Sequence, residues 1–355
     1  MPTPATLLTI DLTALVRNWR HLAGQAAHGN CAAVVKADGY GLGAVEVAAA
    51  LLAAGCTQFF VAHLAEAISL RAGLATRFPD KHPSIGVLNG LFAGEQAEFV
   101  AHNLIPVLNS PAQLADWPAD APAILQIDTG MSRLGLEAAE FDAVLPDLRR
   151  RPFTLLMSHF ACADAPDHPL NRQQIDQFGA ALRQLPGVPG SLAASSGIFL
   201  GADAHFDLLR PGYALYGGNP TPGQPNPMTA VVRLSTPILQ IRDIPAGRPV
   251  GYGARWVSKA PSRIATVPYG YADGVPRVTE GAIFHLGGQP VPVVGRVSMD
   301  LITLDVTGVA AAIPGAEVDI LGPQRDIDQG GTDGGTLGYE ILTSIGRRAA
   351  RRYGT

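Results

Sequence analysis

Residues 31–43 read CAAVVKADGYGLG: a short apolar run, one lysine, then a turn containing three glycines. The chain has only three lysines (Lys36, Lys81 and Lys259), so a lysine leaving a strand that reads as buried is a marked choice. The same texture recurs downstream. Short apolar or β-branched runs stand at QFFVA (58–62), SIGVLN (84–89), LIPVLN (104–109), AILQID (123–128), FTLLMSHF (153–160), SLAAS (191–195) and FDLLR (206–210). Between most of them lie stretches with helical periodicity, such as LAEAISLRAG (64–73) and NRQQIDQFGAALRQLPG (171–187). Eight strands separated by helical connections predict a (β/α)8 TIM barrel, an α/β fold.

After about Thr229 the helical rhythm fades. TAVVRLSTPILQIRDI, SRIATVPYGY, PVPVVGRVSMDLITLDV and EVDILG alternate with Pro- and Gly-rich breaks, which predicts a mainly-β domain. The expected division is a barrel over 11–228 and a β domain over 229–355, with a strand at about 1–10 as a candidate to join the latter. GGNPTPGQPNPM (217–228) reads as the linker, DQGGTDGGTLG (328–338) as a flexible turn, and TLGYEILTSIGRRAARRY (336–353) as a closing helix.

At 355 residues the chain is long enough for two domains with sizeable cores. A hydrophobic content of 47% with 16% charged residues argues against disorder. The formal charge of −4 is spread without blocks, which disfavours nucleic acid or an anionic membrane surface as partner. Cys31, Cys56 and Cys162 are isolated, as expected in a reducing cytoplasm. No signal peptide is expected from MPTPATLLTIDL, and AVEVAAALLAAG is too short for a membrane span.

In a TIM barrel the chemistry sits at the C-terminal strand ends. Lys36 follows strand one, DTGMSRLG (128–135) strand five, His159 strand six, SSG (195–197) strand seven and Arg210 strand eight. A lysine in such a place often simply reaches to solvent. Where it is desolvated, its pKa falls and it becomes a Schiff-base amine. Neither GYGLG nor the 328–338 glycines match a nucleotide-binding spacing. His159, Cys162, Asp164, Asp167 and His168 match no metal pattern, so no metal is expected.

VVKADGYGLG, DTGMSRLG, SHFACAD, LRPGYALYG, VGYGARW, PYGYADGVPR and VGRVSMDLITLDV occur in this order. Together they resemble the alanine racemase family, pyridoxal-phosphate enzymes built from a barrel and a C-terminal β domain. The resemblance runs from TIDLTALVRNWRHL to GYEILTSIGRR, nearly the whole chain. It implies interconversion of L- and D-alanine, with Lys36 holding pyridoxal 5'-phosphate as a Schiff base. It also implies that Tyr40, Ser195, Gly212 and Tyr213 cradle the phosphate and that Arg210 meets the pyridine nitrogen. Racemisation needs a base on each face of the α-carbon, and the resemblance assigns these to Lys36 and Tyr252. His159 would link Arg210 to Tyr252. Arg133 and Met299 would bind the substrate carboxylate, and Tyr271 would line the entrance.

The implied assembly is a head-to-tail homodimer in which Tyr252, Tyr271 and Met299 reach the other subunit's barrel. The implied partners are a small amino acid and no nucleic acid or membrane, in the bacterial cytoplasm, with D-alanine feeding peptidoglycan precursors. Gln126 stands where many relatives carry a carbamylated lysine, so no carbamate is expected; the amide could still accept a hydrogen bond from Arg133. Competing readings are a racemase of broader range that takes serine, and a barrel-type decarboxylase. Arg210 and the VGYGARW tyrosine disfavour the decarboxylase.

Overall fold

A computed structural model describes residues 6–27 and 30–354. They form two compact units, one of residues 15–215 and 219–229, the other of 6–14, 216–218 and 230–354.

The first unit is built on a parallel sheet in sequential order: Ala33–Val34, Gln58–Val61, Ser84–Val87, Ile105–Leu108, Ala123–Gln126, Phe153–Met157 and Gly190–Ser191. An eighth strand, Leu208–Leu209, pairs in parallel with Asn30–Cys31 at the start of the first. On one flank the Ala32 amide donates to the Leu209 carbonyl at 2.8 Å, and the Val34 amide to Pro211 at 2.9 Å. On the other, the Asp207 amide donates to Gly190 and that of Arg210 to Ala193, both at 2.9 Å. These bonds close the sheet into the (β/α)8 barrel expected from the sequence. The strands are almost wholly buried, as a parallel sheet covered by helices must be.

Helices such as Ala44–Ala53, Leu64–Arg77 and Pro169–Arg183 form the crossovers. Ala44–Ala53 buries Val47, Ala48, Ala49, Leu51 and Leu52, which explains its near-continuous apolar composition. Pro169–Arg183 opens with proline in its first turn, and His168 Nδ1 accepts the Leu170 amide at 3.2 Å. That bond gives His168 a capping role in the loop after strand six.

The second unit is mainly β. A six-stranded sheet runs in the order Gln289–Pro292, Ile283–Leu286, Glu317–Leu321, Val232–Pro237, Leu7–Asp11 and Ala350–Gly354. Gln240–Ile244, Ser262–Val267 and Ile302–Asp305 form a second, antiparallel sheet. Residues 1–5 of the expected N-terminal strand lie outside the described residues.

Two expectations at the C-terminal end are corrected. Residues 327–333 form a helix rather than a turn, because the Asp326 carboxylate caps it by accepting the Gln329 amide at 2.8 Å. Two of its glycines, Gly330 and Gly331, are buried, and a side chain at Gly331 would strike the 336–338 backbone. The closing helix ends at Ser344, and Ala350–Gly354 pairs in parallel with Leu7–Asp11. Arg351 and Arg352 therefore lie on a strand rather than on a helical face. Among the described residues no helix is long and apolar enough to cross a membrane.

Candidate active site

Lys36 emerges from the first strand into an unusual turn. Ala37, Asp38, Gly39 and Tyr40 have φ of 53°, 54°, 63° and 56°, a full left-handed turn. Left-handed backbone costs a residue other than glycine about 1–2 kcal/mol, so surrounding contacts must hold this run. The Gly39 amide donates to Val35 at 2.9 Å and that of Gly41 to Ala37 at 2.8 Å. The Asp38 carboxylate accepts the Ala44 amide at 2.9 Å, fastening the turn to the next helix. Glu66, from the helix after strand two, accepts the Ala37 amide at 2.6 Å.

Tyr40 is buried at the end of this run. Its phenol oxygen lies against Gly212, where any Cβ would collide with it. Ser195, also buried, accepts the amides of Gly212 and Ala214, each at 3.1 Å. Tyr213 is buried at the start of the short 3-10 turn Tyr213–Tyr216. Two hydroxyls and neighbouring backbone amides thus converge after strands seven and eight. Here the Gly212 and Ala214 amides are taken up by the Ser195 hydroxyl; a phosphoryl group in this place, where TIM barrels commonly hold one, would share them with it.

Arg210 is fully buried beneath that cradle. Its guanidinium donates to the Ser158 carbonyl at 2.6 Å and to the Ser191 hydroxyl. Among the described residues no carboxylate pairs with it, and burial pushes its pKa down to about 9, so it stays charged at neutrality. His159 follows Ser158. Desolvation first, then the charges of Arg210, Arg133 and Lys36, press its pKa down to about 3. Lys36 is itself lowered, by desolvation and then by Arg133, while Glu66 opposes the shift. Lys36, Arg133, His159 and Arg210 therefore share one electrostatic neighbourhood.

Arg133 sits on a loop shaped by Asp128, whose carboxylate accepts the amides of Gly130, Met131 and Arg133 at 2.7, 2.8 and 3.2 Å. Gln126 does not serve Arg133 as the sequence allowed. Its side-chain amide donates to the Leu134 carbonyl at 3.0 Å, and no hydrogen bond among the described residues joins it to Arg133. The amide thus braces the loop's backbone rather than the guanidinium.

Gln174 escaped the sequence reading. Fully buried on helix Pro169–Arg183, it donates to the Thr129 hydroxyl at 3.0 Å and the His159 carbonyl at 2.9 Å, and accepts the Ala161 amide at 2.9 Å. It ties together the ends of strands five and six. Nothing in a polar helix position distinguishes it in sequence from a solvent-facing glutamine.

Tyr252, Tyr271 and Met299 all lie in the β unit. Tyr252 crowns the hairpin of Pro249–Val250 and Trp256–Val257 and is 66% exposed. Gly251 and Gly253 take φ of 74° and 71° there, and Gly251 packs on the Gly295–Arg296 backbone. The Tyr271 amide donates to Ser298, and the Ala272 amide to Met299, both at 3.0 Å. Gly270 lets these two segments touch, since a Cβ would strike the Ser298 and Met299 carbonyls. Arg348 bonds both Asp273 and Asp300 at 2.7 Å, so Asp300 ties the Met299 loop to the C-terminal segment. Tyr252, Tyr271 and Met299 stay exposed in this unit, at 66%, 42% and 53%.

The barrel unit thus falls in the class of TIM-barrel proteins that carry a desolvated lysine and a cluster of hydroxyls and amides on the C-terminal rim. Sequence comparison narrows the class. The alanine racemase N-terminal domain family matches residues 10–220, and the alanine racemase C-terminal domain family matches 231–353. An alanine racemase of Rhodospirillum rubrum is 50% identical over 98% of this chain and 96% of its own. Alanine racemase from Bartonella henselae, crystallised with covalently bound pyridoxal phosphate, superposes with a TM-score of 0.92 at 39% identity, covering 99% of this chain and 100% of that one. The biosynthetic alanine racemase of Pseudomonas aeruginosa gives 0.91 at 35% identity, with the same coverage. The chain belongs to the alanine racemase family.

Proposed function

We propose that this protein interconverts L- and D-alanine with pyridoxal 5'-phosphate, Lys36 and Tyr252 handling the α-proton on opposite faces. The observation that carries the reading is the barrel rim itself. A desolvated lysine stands with a hydroxyl-and-amide cradle and a buried arginine lacking a carboxylate. The fit to the cofactor is chemical: an amine for its aldehyde, donors for its phosphate, and a cation for its pyridine nitrogen.

When bound, pyridoxal phosphate supplies the electron-withdrawing system that acidifies the α-carbon of an amino acid. Lys36 anchors the aldehyde through Nζ and, as a free amine, takes or returns the α-proton there. Its lowered pKa makes the unprotonated amine more available near neutrality. Tyr252 would do the same at Oη from the other face. Tyr40, Ser195, Gly212 and Tyr213 hold the phosphate. Arg210 would face the pyridine nitrogen; having donors and no acceptor, it could pair only with the nitrogen's lone pair and so would favour the unprotonated ring. That moderates electron withdrawal and restrains side reactions. Neutral His159 would relay Arg210's influence toward Tyr252, while Arg133 and the Met299 loop bind the substrate carboxylate and Tyr271 narrows the entrance.

Tyr252, Tyr271 and Met299 would come from a second subunit in a head-to-tail homodimer; their exposure in the isolated chain supports this. A cytoplasmic enzyme supplying D-alanine for peptidoglycan is the cellular role we infer. The test is incubation of the purified protein with L-alanine, L-serine or L-lysine, with and without pyridoxal phosphate. D-alanine is expected, with dependence on the cofactor. Carbon dioxide without a D-amino acid would overturn the reading, and D-serine formed as fast as D-alanine would widen it.

A further inference from the structure

We propose that Glu66 is a positioning residue for the lysine-bearing turn: its carboxylate gathers three backbone amides from two strand ends and so holds the left-handed run that follows Lys36. One carboxylate oxygen accepts the Ala37 amide at 2.6 Å. The other accepts the amides of Ala62 and His63 at 2.8 and 3.0 Å. The His63 bond is an ordinary helix cap for Leu64–Arg77. The Ala37 bond is not, because it crosses from the second strand's helix to the first strand's exit, directly beside Lys36.

The geometry explains why a carboxylate serves here. Ala37 is unsuited to left-handed backbone, and Asp38, which can adopt it as a single residue, here sits inside a run of four. Charge-assisted bonds to ionised acceptors are among the stronger ones a protein can use against such strain. A glutamine could accept through one oxygen only, so it would lose either the cap or the bond to Ala37. Glu66 also contributes a negative charge that opposes the cationic surroundings of Lys36. Position and charge are therefore joined in one side chain, and the two effects can be separated experimentally.

The inference rests on the reading of Lys36 as the cofactor-binding amine, and its test has an arm independent of that reading. The full-length protein is compared with Glu66→Gln and Glu66→Asp. Hydrogen exchange is followed over residues 36–41. Trapping of Lys36 by pyridoxal phosphate and borohydride is followed against pH by peptide mass. In Glu66→Gln, exchange over 36–41 is expected to rise about tenfold, the equivalent of one lost hydrogen bond. The midpoint of trapping should move to lower pH, since a negative charge that favours the protonated amine is gone. Glu66→Asp keeps the charge and shortens the reach, so exchange should quicken while the midpoint stays near the parent's. Lower thermal stability with unchanged exchange at 36–41 would reduce Glu66 to a helix cap and overturn the proposal. Should Glu66→Gln fail to fold, exchange in Glu66→Asp decides by the same criterion. Failure of the parent to be trapped at Lys36 would sink the cofactor reading, while exchange would still judge Glu66.

Discussion

His159 carries the clearest pH signature of any side chain on the rim. Its neighbours Arg210, Arg133 and Lys36 are cations, and desolvation adds to their effect, so the folded imidazole resists protonation down to about pH 3 against an ordinary value of 6.5. Above pH 6.5 both the folded and unfolded imidazole are neutral, and its contribution to stability is fully present. As pH falls through 6.5 the unfolded chain takes up a proton that the folded one refuses, and stability is lost progressively toward pH 3. By pH 5 this loss amounts to about 2 kcal/mol. His159→Gln, in cofactor-free protein, should therefore lose about 2 kcal/mol less than the parent between pH 7 and pH 5 when urea unfolding is measured at both. Equal losses in the two proteins would mean that His159 is not held neutral by its surroundings.

At the level of elements, the rim is assembled by residues that reach sideways from helices. Gln174 satisfies three groups at the ends of strands five and six from within helix Pro169–Arg183. Gln174→Leu should cost about 3 kcal/mol in urea unfolding, because it strands the Ala161 amide and the His159 carbonyl in a dry site. It should also lower kcat/KM; stability within half a kcal/mol of the parent would show that water replaces the amide. Such residues mark the limit of what the sequence discloses. Most of the barrel strands could be read because each is a short apolar run bounded by turn formers; the seventh is expected from sequence at 191–195, whereas its ladder covers Gly190–Ser191 and shares only Ser191 with that run. Lys36 and Arg210 stood out because charged residues at the ends of buried runs are conspicuous. The left-handed turn was hidden, since Ala37 and Tyr40 disfavour it, Asp38 adopts it as a rule only singly, and Glu66, 29 residues on, helps to hold it. The contact of Glu66 was hidden for the same reason: its partner beyond the first strand, Ala37, lies 29 residues away. The strand Ala350–Gly354 was misread because a run of arginines favours a helix locally, whereas pairing with Leu7–Asp11 is a long-range fact.

For the whole molecule, the chain places the desolvated Lys36 amine and the exposed Tyr252 phenol in different compact units. Lys36 sits on the barrel, whereas Tyr252, Tyr271 and Met299 extend from the loops of the β unit. In a twofold-symmetric dimer with composite sites, each barrel would be completed by its partner's β unit. The most direct test is complementation between two inactive variants, Lys36→Ala and Tyr252→Phe, mixed in equal amounts and allowed to exchange subunits with pyridoxal phosphate present. Random pairing makes half the dimers hybrid, and each hybrid has one site with both groups intact, so about a quarter of parental racemase activity should return. Activity no greater than the sum of the separate variants, with subunit exchange verified, would contradict the shared two-base site.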